Sequence, residues 1–240
     1  MPEDLGHLSM TIHPTAMRPL LGLTVLVVED SRFASEAVRL LCIRSGARIR
    51  RADSLEAAHK HLRLYRPSVM ITDIGLPDGS GIDLIAEVAT SIKDDRPVLI
   101  ATSGADGEGW EDKAIAAGAD GFLPKPIDSV GMFQQSILQH LPKDMHPSGP
   151  RVMNDEVIEP DTLSLCEDLS HLDELLQSAP EQLGYIAPFL QGLARLAGDE
   201  KLKAASDELS EACKSGGSTT APIAQVRALI KKRLDVAEMV

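Results

Sequence analysis

The sequence predicts a doubly wound α/β domain, a five-stranded parallel sheet with helices on both faces, followed by an all-α helical bundle. Three observations carry this expectation. Short apolar runs alternate with stretches of helical spacing five times between residues 23 and 141. The stretch LPKDMHPSGPRVMNDEVIEP (141–160) then holds four prolines and little apolar periodicity. Beyond it only leucine-rich stripes of helical spacing remain. At 240 residues the chain has room for both units.

The elements follow in order. TVLVV (24–28) is an apolar run bounded by polar residues, as expected of a buried strand. Residues 32–44 carry helical spacing through Phe33, Val38, Leu41 and Cys42. ARIRRA (47–52) is a weaker strand, Leu55 to Leu64 a helix, and SVMIT (68–72) a strand. Ile82 to Ile92 form a helix with Ile82, Leu84, Ile85 and Val88 on its apolar face. PVLIAT (97–102) is a strand, Asp112 to Ala117 lie in a short helix, and GFLP (121–124) is a brief strand. Ser129 to His140 close the unit as an amphipathic helix. The expected organisation is a flexible tail over 1–20, the α/β domain over 21–141, a linker over 142–160 and a helical output or interaction domain over 161–240.

The helical part reads as four stripes. They are Leu163, Leu169, Leu172, Leu175 and Leu176; then Leu183, Ile186, Phe189, Leu190 and Leu193; then Leu202, Leu209 and Cys213; then Ile223, Val226, Leu229, Ile230 and Leu234. Gly and Ser in KSGGSTTAP (214–222) separate the last two, and Thr220 can cap the final helix. An antiparallel bundle is expected, with a homodimer as one way to complete its core.

Composition narrows the function. A formal charge of −12 opposes nucleic acid, and the one dense basic run late in the chain, Lys231-Lys232-Arg233, suits a helix C-terminus. Aromatic residues make up 3%, too few for a base-stacking platform. Cys42, Cys166 and Cys213 are far apart and show neither zinc nor disulfide spacing. No apolar run reaches the roughly 20 residues of a membrane span. The start MPEDLGHLSM lacks an apolar signal core, so a cytoplasmic setting is expected, with neither membrane nor nucleic acid as partner.

In a parallel sheet, function gathers at the carboxyl ends of the strands. There the sequence places Glu29-Asp30 after the first strand, Asp73 after the third, Thr102-Ser103 after the fourth and Lys125 after the fifth. Three carboxylates at close quarters raise each other's pKa unless a cation neutralises them. A hard divalent ion with oxygen ligands, Mg²⁺ inside a cell, is the natural solution. A carboxylate beside that ion can attack a phosphoryl group, while a lysine and a hydroxyl hold its oxygens. Any one of these residues could be a turn former; five in this order are better read as a site.

Glu29-Asp30, Asp73 within ITDIGLPDGSG (71–81), Thr102 and PKP around Lys125 together resemble the receiver domain of two-component response regulators, a flavodoxin-like fold, over about residues 23–141. The resemblance implies that Asp73 is modified by a phosphoryl group from a sensor histidine kinase or phosphotransfer protein. It implies that Glu29, Asp30, Asp73 and the Gly75 carbonyl hold Mg²⁺. Thr102 and Lys125 would be the switch hydroxyl and the phosphate-pairing lysine, Phe122 the switch aromatic, and Lys125–Pro126 a cis bond. Core packing is an equal reading of Phe122. Apart from self-catalysed phosphorylation and hydrolysis at Asp73, no enzyme is implied. Leu76, Pro77, Asp78 and Gly79 read as a turn. Gly75 and Gly104 bring no side chain that could guide or block a hydrolytic water, and three glycines in SGADGEGW (103–110) predict a mobile loop. Trp110 is either a partner-facing anchor or a core cover.

The helical part shows no helix-turn-helix with a basic reading helix. IAPFLQGLARLAGDEKL (186–202) is faintly similar to the core helix of a histidine-containing phosphotransfer domain, with Pro188 at the histidine position and Gln191 where a lysine is frequent. Such a domain would be degenerate and would act by binding; Pro188 also predicts a kink or a helix start. A rival reading takes His171, Asp173 and Gln177, on one helical face, as a phosphatase or phosphotransfer constellation; a solvated polar face explains them more simply.

Overall fold

The computed structural model describes residues 13–91, 96–104, 109–149 and 154–237. Five parallel strands form the sheet: β1 (Thr24–Val28), β2 (Arg48–Ala52), β3 (Val69–Asp73), β6 (Val98–Ser103) and β7 (Gly121–Pro124). A small antiparallel hairpin, β4 (Gly75–Leu76) and β5 (Gly79–Ser80), follows β3. The strand order is β2-β1-β3-β6-β7, so the connections leave β1 and β3 in opposite directions. That reversal opens a crevice beyond the carboxyl ends of β1 and β3.

Period-2 alternation in the strands feeds two cores. Val25, Val27, Ile71 and Ile100 face α1 (Arg32–Ser45) and α5 (Val130–Leu138), packing with Leu41, Phe133 and Ile137. Leu26, Val28, Met70 and Leu99 face α2 (Leu55–Leu64), α3 (Gly81–Ser91) and α4 (Trp110–Ala116), packing with Ala58, Leu84, Val88 and Ala114. The helix expected from Asp112 starts two residues earlier, at Trp110, which puts Glu111 and Asp112 in the first turn, where the helix dipole favours anions. Ile92, expected at the end of α3, and residues 105–108 of the glycine-rich loop lie outside the described residues.

Residues at both edges of the α/β unit pack on its core. Leu20, assigned to the tail, is buried in the first core, and its N–H donates to the Ser45 carbonyl. Near the end of the proline-rich connection, Ser129 and Val157 form an isolated antiparallel bridge and Ile158 enters the same core. Val157 and Ile158 thus attach the chain to the sheet domain just before the bundle begins.

The helical part is α6 (Thr162–Ser178), α7 (Leu183–Leu196), α8 (Glu200–Ser215) and α9 (Thr220–Ala237). Each helix packs on its chain neighbours, and α9 closes back on α6. Short connections between successive helices make a four-helix bundle. Pro188 lies inside α7, with helix on both sides of it, rather than at its start. The core is built from the expected leucine stripes, including Leu172, Leu190 and Leu209, with one addition from outside. Phe33 of α1, which shares its helical spacing with Val38, Leu41 and Cys42, joins the bundle core with Leu169 and Leu172, while those three cover the sheet. At 4% exposure it is a staple between the two units.

Phe33→Ala is expected to lower unfolding free energy by about 3–5 kcal/mol, the range for truncating a buried phenylalanine. Urea titration followed by circular dichroism would report it; a shift below about 1 kcal/mol would mean that the two units do not unfold together through this contact.

Candidate active site

The crevice at the strand reversal gathers the acidic residues. Asp73 is the last residue of β3 and pairs in register with Thr102 of β6, while Glu29 and Asp30 continue directly from β1. Carboxylate oxygens of Glu29, Asp30 and Asp73 lie within 4.8 Å of one another. Lys125, which follows β7, places Nζ 2.7 Å from Asp73 Oδ2 and 2.7 Å from Glu29 Oε2. Its backbone N–H donates to the Ser103 carbonyl at 3.0 Å, which anchors it at the end of β6, and the Lys125–Pro126 bond is cis.

Local chemistry explains the shape of the loop after Asp73. The Gly81 N–H donates to the Ile74 carbonyl, and a Cβ at residue 81 would stand 1.9 Å from the Asp73 carbonyl oxygen. Only glycine lets α3 begin so close to the acidic residue. Asp78 does more than turn the chain. Its two carboxylate oxygens accept from the N–H groups of Leu55 and Glu56, at 2.9 and 3.0 Å, and cap α2.

Two groups in the crevice are incompletely satisfied. Among the described residues, the Thr102 hydroxyl is buried without a hydrogen-bond partner, and so is Asp30 Oδ1. Such groups are costly unless something else occupies the space they face. Gly75 donates its N–H to Asp73 Oδ1 at a long 3.5 Å, and its own surroundings are open. Phe122 is half-buried against the second core. Trp110 packs on that core too and lines the crevice, with Lys113 Nζ 4.3 Å from the centre of its ring.

The charges do not balance. Burial, and then repulsion from Asp73 and Asp30, pushes the Glu29 carboxyl up to about 8, although Lys125 pulls the other way. Burial and the Asp73 charge push Asp30 up to about 7 against the hydrogen bond it receives from Tyr185. Lys125 is driven upward by Asp73 and Glu29, despite its burial, and stays charged. Among the described residues, the Lys125 ammonium thus pairs with two of the three carboxylates, and Asp30 is left to the Tyr185 hydroxyl. The oxygen-only donor set, with an orphaned carboxylate oxygen in it, fits a hard divalent cation.

The bundle completes the site, and nothing in the periodicity of α6 or α7 announces it. The Tyr185 hydroxyl donates a short hydrogen bond to Asp30 Oδ2. Asp168 of α6 accepts from the Ser31 hydroxyl at 2.7 Å and from the N–H groups of Arg32 and Phe33 at 3.0 Å each. Arg195 donates to the Gly104 carbonyl at 2.7 Å. Between the two units lies a cavity of about 340 Å³ that has Asp73, Glu29 and Lys125 on one wall and Pro188, Phe189 and Leu193 on the other. His171, Asp173 and Gln177 do not line it. Asp173 is instead paired with Arg227 of α9 at 2.8 Å and with Gln177, while His171 and Gln177 stay exposed, as a solvated polar face would be. Gln191 is buried and donates to Asp207 of α8.

Residues 25–136 match the family model described as the response regulator receiver domain. The α/β half is a response regulator receiver domain. The match stops short of the bundle. The virulence transcriptional regulatory protein PhoP of Salmonella typhimurium is 33% identical over 119 residues, which are 48% of this chain and 51% of that protein. The transcriptional regulatory protein PhoP of Escherichia coli O157:H7 is 30% identical over the same length, 52% of its own. The chain spans about half the length of the curated relatives it matches. Among solved structures, a two-component response regulator from Clostridium difficile aligns with 49% of this chain and 97% of its own, at TM-score 0.45 and 17% identity. A signal receiver domain from Bermanella marisrubri aligns with 48% and 92%, at TM-score 0.41 and 25% identity.

The receiver's raised carboxyl values set a pH dependence. Folded values near 7 and 8 stand above the ordinary 3.8 and 4.5, so the native state binds more protons than the unfolded state between about pH 4 and 8. Stability contributed by these groups is full below the ordinary values and is lost as pH rises through the folded ones. In chelator, the thermal midpoint is expected to fall from pH 5 to pH 8. Added Mg²⁺ is expected to raise it more at pH 8 than at pH 6, and Asp30→Asn to flatten the slope. Scanning calorimetry checks all three; a midpoint that rises with pH in chelator would contradict the charge assignment.

Proposed function

We propose that Asp73 accepts a phosphoryl group from a phosphohistidine of a sensor kinase or phosphotransfer protein, and that the bundle passes the resulting change on through protein contacts. The observation that carries this reading is Lys125, poised between Asp73 Oδ2 and Glu29 beside the unpartnered Thr102 hydroxyl. Asp73 Oδ1, held among the described residues by the long contact from Gly75, is the oxygen left to attack phosphorus. As the new O–P bond forms, the P–N bond to the donor's imidazole breaks. Lys125 and Thr102 supply a cation and a donor for the transferred oxygens. Glu29, Asp30, Asp73 and the Gly75 carbonyl are the groups that would hold Mg²⁺. Bound there, Mg²⁺ supplies the positive charge that the transferring group needs.

The output reading rests on charge and pairing. PhoP proteins are named as transcriptional regulators. Here the net charge is −12, and the α9 cations Arg227 and Arg233 are engaged by Asp173 and Asp199. A protein partner suits this surface better than DNA does. A bundle with its own phosphotransfer or phosphatase chemistry has less support, since the bundle wall facing Asp73 offers Pro188, Phe189 and Leu193.

Incubation with acetyl phosphate and Mg²⁺, followed by intact mass spectrometry, tests the acceptor. One phosphoryl adduct is expected on the wild-type chain and none on Asp73→Asn. An adduct that persists in Asp73→Asn would place the acceptor elsewhere.

A further inference from the structure

We propose that α7 is an internal occupant of the face a phosphohistidine-bearing helix must reach, latched by the Tyr185–Asp30 hydrogen bond, and that Mg²⁺ loading and phosphorylation release it. The proposal rests on the reading of Asp73 as acceptor and deepens it by giving the direction of the switch.

Among the described residues, three of the contacts that seat the bundle on the receiver fall beside the site. Tyr185 holds one oxygen of Asp30, Asp168 holds the backbone of residues 32 and 33, and Arg195 holds the carbonyl of Gly104. Small residues make the approach close. A Cβ on Gly104 would stand 3.0 Å from the Cα of Gly192. No second helix can reach Asp73 along this wall while α7 occupies it.

Two consequences follow for affinity. Asp30 Oδ2 is committed to the Tyr185 hydroxyl, and only Oδ1 is left. A divalent cation competes with the phenol for the same carboxylate charge. A phosphoryl group on Asp73 would bring its negative charge against Pro188, Phe189 and Leu193, side chains that cannot hydrogen-bond it. Both ligands therefore favour the form in which α7 has moved away. By reciprocity, loosening α7 raises affinity for both. The cavity still admits a small acyl phosphate, so small donors and protein donors are expected to differ in their dependence on the latch.

The test uses the full chain in three forms: wild type, Tyr185→Phe and Gly192→Leu. Tyr185→Phe removes the latch hydroxyl and keeps the ring. A Cβ on residue 192 would stand 3.9 Å from the Cα of Gly104, so the wedge in Gly192→Leu comes from the branched end of a side chain that also favours helix. Circular dichroism confirms that each is folded. Mg²⁺ titration is read by fluorescence of Trp110, the one tryptophan, which lines the cavity. Both variants are expected to bind Mg²⁺ about tenfold more tightly, the scale of one hydrogen bond to a charged group. Amide exchange over residues 31–35 and 183–196 is expected to speed up in wild type on adding Mg²⁺ with beryllofluoride, and to be fast in Gly192→Leu without either. Equal Mg²⁺ affinity in all three forms, or slower exchange on adding beryllofluoride, overturns the latch while leaving the acceptor reading intact. Failure of every form to bind Mg²⁺ overturns both.

Discussion

Three carboxylates converge at the carboxyl ends of β1 and β3, and a single ammonium stands among them. Much else in the receiver is arranged around that imbalance. The strand order supplies the crevice, and Gly81 lets α3 start against the Asp73 carbonyl without pushing the side chain away. Lys125 is tied to the end of β6 through its own backbone, so its ammonium sits where two of the carboxylates need it. The third, Asp30, is left with one oxygen on Tyr185 and one with no partner.

The same few residues join the two units. Immediately after Asp30 the chain enters α1, whose first N–H groups have no partners within the helix. Ser31 takes that of Ala34, and Asp168, from the bundle, takes those of Arg32 and Phe33. Phe33 then turns into the bundle core. Burial pushes the Asp168 carboxyl up, while the hydrogen bonds from Phe33, Ser31 and Arg32 favour its charged form. A helix start that must be capped somehow is capped from the bundle, so the residues that follow Asp30 and the seat of the bundle share the same hydrogen bonds. Exposed ion pairs such as Arg32–Glu167 add little to this coupling.

Much of the receiver was legible in the sequence because its signals are local. Short apolar runs, helical spacing and the order of acidic, hydroxyl and lysine residues at strand ends each depend on near neighbours in the chain. Asp78 shows the limit. As a turn residue it was readable, but its cap on α2 joins positions 23 residues apart. Phe33 shows it again, since its spacing fits an apolar helix face and cannot say which of two cores that face meets. The polar face of Asp173 and Gln177 resolves into a contact with Arg227 on another helix.

By itself the sequence determined the alternation of strand and helix, the identity of the acidic residues, Lys125 and Thr102 at the strand ends, and a separate helical bundle. Those follow from burial periodicity and from residue chemistry, which are written along the chain. Only the tertiary structure decided that α7 lies across the site, that Tyr185 shares Asp30 and that Asp168 caps α1. Contacts between residues more than 130 positions apart leave no periodic trace, because each partner satisfies its own helix pattern whether or not the other is present.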